Sequence, residues 1–316
     1  MQIVILDKQT LGEDIDLSPI RALGEVVEYP TTPPELVGER IHHADMVIIN
    51  KVKLNEGNLS SAGQLKLICV AATGFDNIDT AFCRRRGIAV CNVPGYSTDS
   101  VAQLTLSMAL TLATHLTEYR DFVHSGAYSR SSSANRLSPV YHELSSMTWG
   151  VVGGGGIGQR VAQIASAMGA HVLMCRRAQD SRYEQCDIDE LCRRADIISL
   201  HVPLNEQTRG MINADRLALM KDGAILINVA RGAVCDEQAI ADALCSGKLG
   251  GLGVDVYSTE PFGTDHPLYR LLDYPNVCLT PHMAWGSAQA RARCVQAMAE
   301  NIVCFTRGVI HNRVEL

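Results

Sequence analysis

The chain has 316 residues, 47% of them hydrophobic and 20% charged, with a formal net charge of −6. That length supports two domains with large buried cores, the acidic balance excludes a protein built chiefly to hold nucleic acid, and no apolar run reaches the length a bilayer needs. Eleven cysteines are scattered without a CxxC pair, which excludes the common zinc spacings, so no metal is expected and the thiols read as reduced, small hydrophobes.

The opening MQIVILD reads as a short strand stopped at Asp7. It lacks the basic start and small-residue cleavage site of a signal peptide, and a cytoplasmic protein is expected. Further β-branched runs follow at DMVII (45–49), KLICVA (66–71) and IAVCNV (88–93), the last ending just before Pro94. Arg84, Arg85 and Arg86 read as the solvated end of a helix. A long helix is predicted from about Thr98 to Val123. A second set of strands then runs TWGVVG (148–153), HVLMC (171–175), DIISLHV (196–202), AILINV (224–229), LGGLGVDV (249–256) and NVCLT (276–280), and an amphipathic segment spans Ser287 to Thr306. Helical spacing fills most of the intervals, and many strands are apolar throughout, as parallel strands covered on both faces must be. The pattern predicts an α/β fold of two doubly wound parallel-sheet domains. Residues 1–98 with 288–316 form one domain and residues 99–287 the other.

The stretch VVGGGGIGQR (151–160) places Gly153, Gly155 and Gly158 in G-x-G-x-x-G spacing, after a strand and before a helical pattern. One glycine makes the turn, the next lets backbone approach a pyrophosphate, and the third packs helix on strand. The helix start, around Gly156 and Ile157, then offers free N–H groups and a positive dipole end to the phosphates. The additional glycines at Gly154 and Gly156 are expected merely to loosen the loop.

The end of the next strand bears on which dinucleotide is held. An acidic residue about 20 positions past the motif normally receives the ribose 2′-OH of NAD. Here the strand ends Cys175-Arg176-Arg177. Two guanidiniums suit a 2′-phosphate, with bidentate charge-assisted contacts, so NADP(H) is preferred. Asp180, beyond the strand end, is the alternative acidic partner, with NAD(H) as the cofactor.

Three later strand ends carry chemistry: INVARG puts Arg231 after one strand, GVDVYSTEP puts Asp255 and Glu260 after the next, and LTPHMAWGS puts His282 after the third. In an open α/β sheet, neighbouring carboxyl ends converge on the ligand crevice. Read singly, each has an ordinary structural explanation; behind a dinucleotide motif they read as a cation, an acid and a proton-transferring imidazole.

With AATGFDNID (71–79), NVPGYSTDSVAQ (92–103), GGGGIG (153–158), HVPLNEQTRGMIN (201–213), INVARG, GVDVYSTEP and TPHMAWGS in this order, the chain resembles the D-isomer-specific 2-hydroxyacid dehydrogenases, and within them the glyoxylate and hydroxypyruvate reductases. The resemblance implies a Rossmann-type nucleotide-binding domain inserted in a flavodoxin-like substrate domain, a homodimer formed largely through the nucleotide-binding domain, and a catalytic group of Arg231, Glu260 and His282. Arg231 would grip the carboxylate of a 2-keto acid and polarise its ketone. His282 would protonate the developing alkoxide, and Glu260 would orient the ring and offer a counter-charge. Glu260 also argues against the related formate dehydrogenases, which give no proton to a substrate oxygen.

The same resemblance implies that the loop at Thr73 and Gly74 helps hold the substrate carboxylate by backbone N–H groups, and that Asp255 receives the nicotinamide carboxamide. Val229 and Ala230 would line the nicotinamide side, and His201, Val202 and Pro203 the adenine side. Trp285 would narrow the pocket to small acids, or serve only in packing. Because the chain ends at Leu316, the long phosphoglycerate dehydrogenase form is not expected. The expected function is reduction of hydroxypyruvate or glyoxylate with NADPH. An NADH-dependent D-lactate-type enzyme is the alternative, and a dinucleotide-sensing, corepressor-like interaction protein is the alternative of another class.

Overall fold

The structure is a computed structural model that describes residues 1–177 and 182–316. It divides into two compact units, Met1–Ser97 with Gly286–Leu316, and Thr98–Trp285.

The first unit holds five parallel strands: β1 (Gln2–Ile5), β2 (Glu25–Glu28), β3 (Met46–Ile49), β4 (Leu67–Val70) and β5 (Ala89–Cys91). Their spatial order is β2-β1-β3-β4-β5, the flavodoxin-like order of a doubly wound sheet. β3 and β4 are buried along their whole length, as central parallel strands are. β2 differs: EVVE is half-exposed at the sheet edge, which is why no continuous apolar run announces it. At the switch between β1 and β3, the buried carboxylate of Asp7 accepts hydrogen bonds from the backbone N–H groups of Asn50, Lys51 and Val52. Burial pushes the Asp7 pKa up, and those three donors oppose the rise. The chain's last residues return to this sheet: Cys91 and Arg313 form an antiparallel bridge that covers the β5 edge.

The second unit holds seven strands: β6 (Thr148–Val152), β7 (His171–Cys175), β8 (Glu184–Gln185), β9 (Ile197–Leu200), β10 (Ala224–Asn228), β11 (Leu249–Val254) and β12 (Val277–Leu279). All pair in parallel, in the order β12-β11-β10-β9-β6-β7-β8. The order reverses beside β6, where a Rossmann sheet binds its dinucleotide. Trp149 is wholly buried beneath this point, and its indole N–H donates to Ser199 Oγ at 2.9 Å. The two-residue β8 was too short to leave a sequence pattern.

The single helix expected over 98–123 is two, Thr98–Ala113 and Leu116–His124. His115 sits between them in the left-handed region, with φ of 52°, and its ring meets Glu118 at 3.0 Å. The buried stripe ends at Ala113, and no residue of the second helix is buried, so packing no longer holds one continuous axis past that point. The closing helix runs Ala288–Thr306 and is capped by Ser287, whose hydroxyl accepts from Ala290 N–H.

Candidate active site

The glycine turn lies at the carboxyl end of β6. Gly153 has φ of +111°, and a Cβ there would stand 2.4 Å from the His201 carbonyl oxygen; only glycine fits both conditions. A Cβ on Gly158 would stand 2.0 Å from the Gly153 carbonyl oxygen, which is how the helix Gly156–Ala167 sits so close to the turn. That helix starts at Gly155 without a side-chain cap, and beyond Gly155 a Cβ would meet open space. The first-turn N–H groups, including those of Gly156, Ile157 and Gly158, have no intrahelical acceptor, as at any helix start, and are of the kind an anion satisfies.

Around the turn, the structure places Arg176 and Arg177 directly after β7, whose Cys175 carbonyl accepts from Gly153 N–H at 2.9 Å. Arg177 bonds Gln207 Oε1. Asp180, the alternative acidic partner, lies outside the described residues. His201, Val202 and Pro203 follow β9, and Val202 Cγ1 would be 3.2 Å from a Cβ on Gly153. His201 Nε2 lies 3.0 Å from Ser199 Oγ. That hydroxyl also accepts from the Trp149 indole N–H, so ring and indole meet at one oxygen. Burial pushes the His201 pKa down to about 3, so the ring is neutral at working pH.

At the end of β10, Val229 and Ala230 are buried and lead into Arg231. Asn228, buried and absent from the sequence reading, accepts from Ala230 N–H at 3.0 Å and donates to the Arg231 carbonyl at 2.9 Å. It thereby fixes the turn. The next residue, Gly232, packs directly on the backbone of Tyr257 and Ser258, the start of the loop carrying Glu260. Glu260 Oε1 accepts from Tyr257 N–H at 3.0 Å, and Oε2 lies 2.7 Å from His282 Nδ1. The Arg231 turn, Glu260 and His282 are thus joined through successive contacts at three neighbouring strand ends.

His282 itself has φ of 52°, an uncommon conformation for a residue with a side chain. Asp255 maintains it. Its carbonyl accepts from His282 N–H at 2.8 Å, and its carboxylate accepts from Thr280 Oγ1 at 2.6 Å, Met283 N–H at 2.8 Å and Ala284 N–H at 3.0 Å. Burial raises the Asp255 pKa, and these donors oppose the rise. Trp285 packs against the unit's core and donates its indole N–H to the His282 carbonyl at 2.9 Å, so it braces the same turn.

Behind the Glu260 loop lies a second network that sequence reasoning missed. Glu237 accepts from Ser258 N–H at 2.8 Å and lies 3.0 Å from His266 Nε2, with both partners' side chains under 10% exposed. Nothing local in the sequence links positions 29 residues apart.

Thr73 and Gly74 belong to the first unit. Thr73 Oγ1 donates to the Val93 carbonyl at 2.9 Å, and Asn92 donates to the Thr73 carbonyl at 2.7 Å. The buried Asn301 in turn donates to the Asn92 carbonyl at 2.9 Å. This chain of amides fixes the loop from behind. No group of His, Cys, Asp and Glu able to hold a metal occurs among the described residues.

A Rossmann sheet with an open helix N-terminus at its switch point, and an Arg turn and a Glu–His pair at neighbouring strand ends, marks a dinucleotide-dependent oxidoreductase. Residues 106–284 match the family described as D-isomer specific 2-hydroxyacid dehydrogenase, NAD binding domain, and the chain belongs to this dehydrogenase family. It is 34% identical to a hydroxypyruvate reductase of Blautia hydrogenotrophica, with 98% of each chain covered. It is 35% identical to a glyoxylate reductase of Thermococcus litoralis, covering 90% of this chain and 88% of the other. Among solved structures it is similar to a D-lactate dehydrogenase from Aquifex aeolicus complexed with NAD and lactic acid, with a TM-score of 0.87, 32% identity, and coverage of 98% of this chain and 96% of that one. The protein is an oxidoreductase of small 2-hydroxy acids that uses a nicotinamide cofactor. Among the described residues no helix is long and apolar enough to cross a membrane.

Proposed function

We propose that the protein reduces hydroxypyruvate or glyoxylate, with NADPH preferred. The observation that carries the reading is the 2.7 Å contact between His282 and Glu260, with Glu260 held in turn by the Tyr257 N–H. A 2-keto acid needs a fixed cation, a proton donor at its ketone oxygen, and a hydride donor facing its carbonyl carbon. Arg231 supplies the cation, gripping the carboxylate and polarising the ketone. With Nδ1 committed to Glu260, His282 delivers its proton from Nε2 and is reprotonated from water. Thr73 and Gly74 add backbone N–H groups to the carboxylate, and Trp285 bounds the space beside His282, which favours small acids.

The nicotinamide, when bound, supplies the hydride. The N–H groups of Gly156, Ile157 and Gly158 hold the pyrophosphate, and Asp255, whose Oδ2 accepts only from Ala284 among the bonds described, receives the carboxamide. Val229 and Ala230 line the nicotinamide side, and His201, Val202 and Pro203 the adenine side. Arg176 and Arg177 at the end of β7 support a 2′-phosphate. Six large apolar side chains, Leu116, Val123, Tyr128, Leu137, Val140 and Tyr141, are exposed along residues 116–141. A second copy of the chain covers them in a homodimer.

The experiment is a panel of hydroxypyruvate, glyoxylate, pyruvate and longer keto acids with NADPH and NADH, followed by loss of reduced-nicotinamide absorbance. The highest kcat/KM is expected for hydroxypyruvate or glyoxylate with NADPH. A maximum for pyruvate with NADH would instead favour the D-lactate-type reading.

A further inference from the structure

Two glycines in the nucleotide turn exceed what G-x-G-x-x-G requires, and the structure treats them differently. A Cβ on Gly156 would meet Thr98 Oγ1 at 3.5 Å, an ordinary contact. A Cβ on Gly154 would stand 2.6 Å from Arg176 Nε, 2.8 Å from its Cδ and 2.9 Å from its Cβ. Rotating the guanidinium does not relieve this overlap, because it reaches the first side-chain carbon. Nor can the backbone retreat easily: the Cys175 carbonyl before Arg176 accepts from Gly153 N–H, and Val152 pairs with Cys175 across β6 and β7. Gly154 is absent from the residues with positive φ, so an alanine there meets no backbone penalty. The three nearest atoms a Cβ would meet all belong to Arg176, and they account for the glycine. The expectation that Gly154 merely loosens the loop is therefore corrected.

We propose that Gly154 is a specificity-determining position for the cofactor: its missing side chain lets the Arg176 side chain lie over the glycine turn, where it selects a dinucleotide bearing a 2′-phosphate. A side chain at 154 would displace Arg176 and favour the cofactor without that phosphate. A second cation adjoins the same turn indirectly, since Gln159 donates to the Gly154 carbonyl at 3.0 Å and accepts from Arg182 at 3.1 Å. The inference rests on the NADPH reading above.

Its test is equilibrium binding of NADPH and NADH, followed by nicotinamide fluorescence, for wild type, Gly154→Ala, Arg176→Gly and the double variant. Gly154→Ala should weaken NADPH by about tenfold, the scale of one hydrogen bond to a charged group, while leaving NADH within about twofold as an internal check on folding. In the Arg176→Gly background, which also removes the Cβ at 2.9 Å, the same change should leave NADPH affinity unaltered, the non-additivity expected of two residues in contact. Equal weakening of both cofactors, or an undiminished effect without Arg176, would show that the substitution only disturbs the turn and would overturn the proposal. A wild-type preference for NADPH that Gly154→Ala leaves undiminished also defeats it, while sparing the cofactor reading. A wild-type preference for NADH defeats both.

Discussion

Gly232 and Tyr257 meet backbone to backbone: a Cβ on the glycine would lie 2.0 Å from the tyrosine carbonyl carbon and 2.1 Å from Ser258 N. The turn bearing Arg231 and the loop bearing Glu260 are therefore set against each other with no room for one methyl group. Gly232→Ala must move one of them. Since displacements of about 1 Å in a reacting constellation cost on the order of 10²-fold, kcat/KM for the best keto acid should fall by roughly that factor. Unchanged steady-state kinetics would show that the two loops need not touch.

The His282–Glu260 pair separates two contributions. His282→Ala removes the proposed proton donor, and kcat should fall about 10²- to 10⁴-fold. Glu260→Gln keeps a hydrogen-bonding group of similar shape but removes the counter-charge, so a smaller loss is expected, with a changed pH dependence of kcat. Wild-type turnover in His282→Ala would remove the imidazole from the mechanism. A pH profile unaltered by Glu260→Gln would reduce the carboxylate to a spacer.

Glu237 and His266 do no chemistry in this scheme, yet they hold the loop that does. Leu268 N–H donates to His266 Nδ1 at 3.3 Å, which leaves the hydrogen on Nε2 to bond Glu237. His266→Phe would leave a buried carboxylate short of one partner. A loss of about 1–3 kcal/mol in unfolding free energy is expected, measurable by urea denaturation. A stability equal to that of wild type would mean that Ser258 satisfies Glu237 unaided.

These relationships divide by range. The strand–turn–helix around Gly153, Gly155 and Gly158 was legible because all its parts lie within about 25 residues and each imposes its own residue type. Arg231, Asp255, Glu260 and His282 stood out because a parallel sheet places successive strand ends side by side, so their order in sequence is also their order in space. By contrast, β2 is half-exposed and β8 spans two residues, which gives neither an apolar run. The break at His115 follows from where core contact stops, and periodicity shows that only weakly. Likewise, the demand of Arg176 on Gly154, and the reach of Glu237 to Ser258 and His266, exist only once distant segments are packed.

The exposed apolar side chains of residues 116–141 give the dimer proposal a direct test. Leu137 is 78% exposed and Val140 70%. Leu137→Glu combined with Val140→Glu would bury two charges in the interface, each costly without a partner, and should convert a dimer to a monomer by light scattering after size exclusion. A variant that stays dimeric would place the interface elsewhere, and a monomeric wild type would dismiss it.

His201 sets an acid limit on stability. Its ring titrates near 6.5 when exposed and is pushed down to about 3 by burial, so between those values the unfolded chain holds more protons than the folded one. Stability therefore rises with pH across that window. The contribution is complete above the unfolded value and is lost as pH falls through it toward the folded one, at a limiting slope of about 1.4 kcal/mol per pH unit. A His201→Gln variant lacks this term. It should be less stable than wild type at pH 7, because Ser199 loses its partner geometry, but the gap should narrow by up to about 2 kcal/mol by pH 5. Urea unfolding of both proteins at the two pH values provides the measurement. A constant gap would show that His201 titrates alike in both states, and that the ring is less enclosed than its place between the Gly153 turn and Ser199 implies.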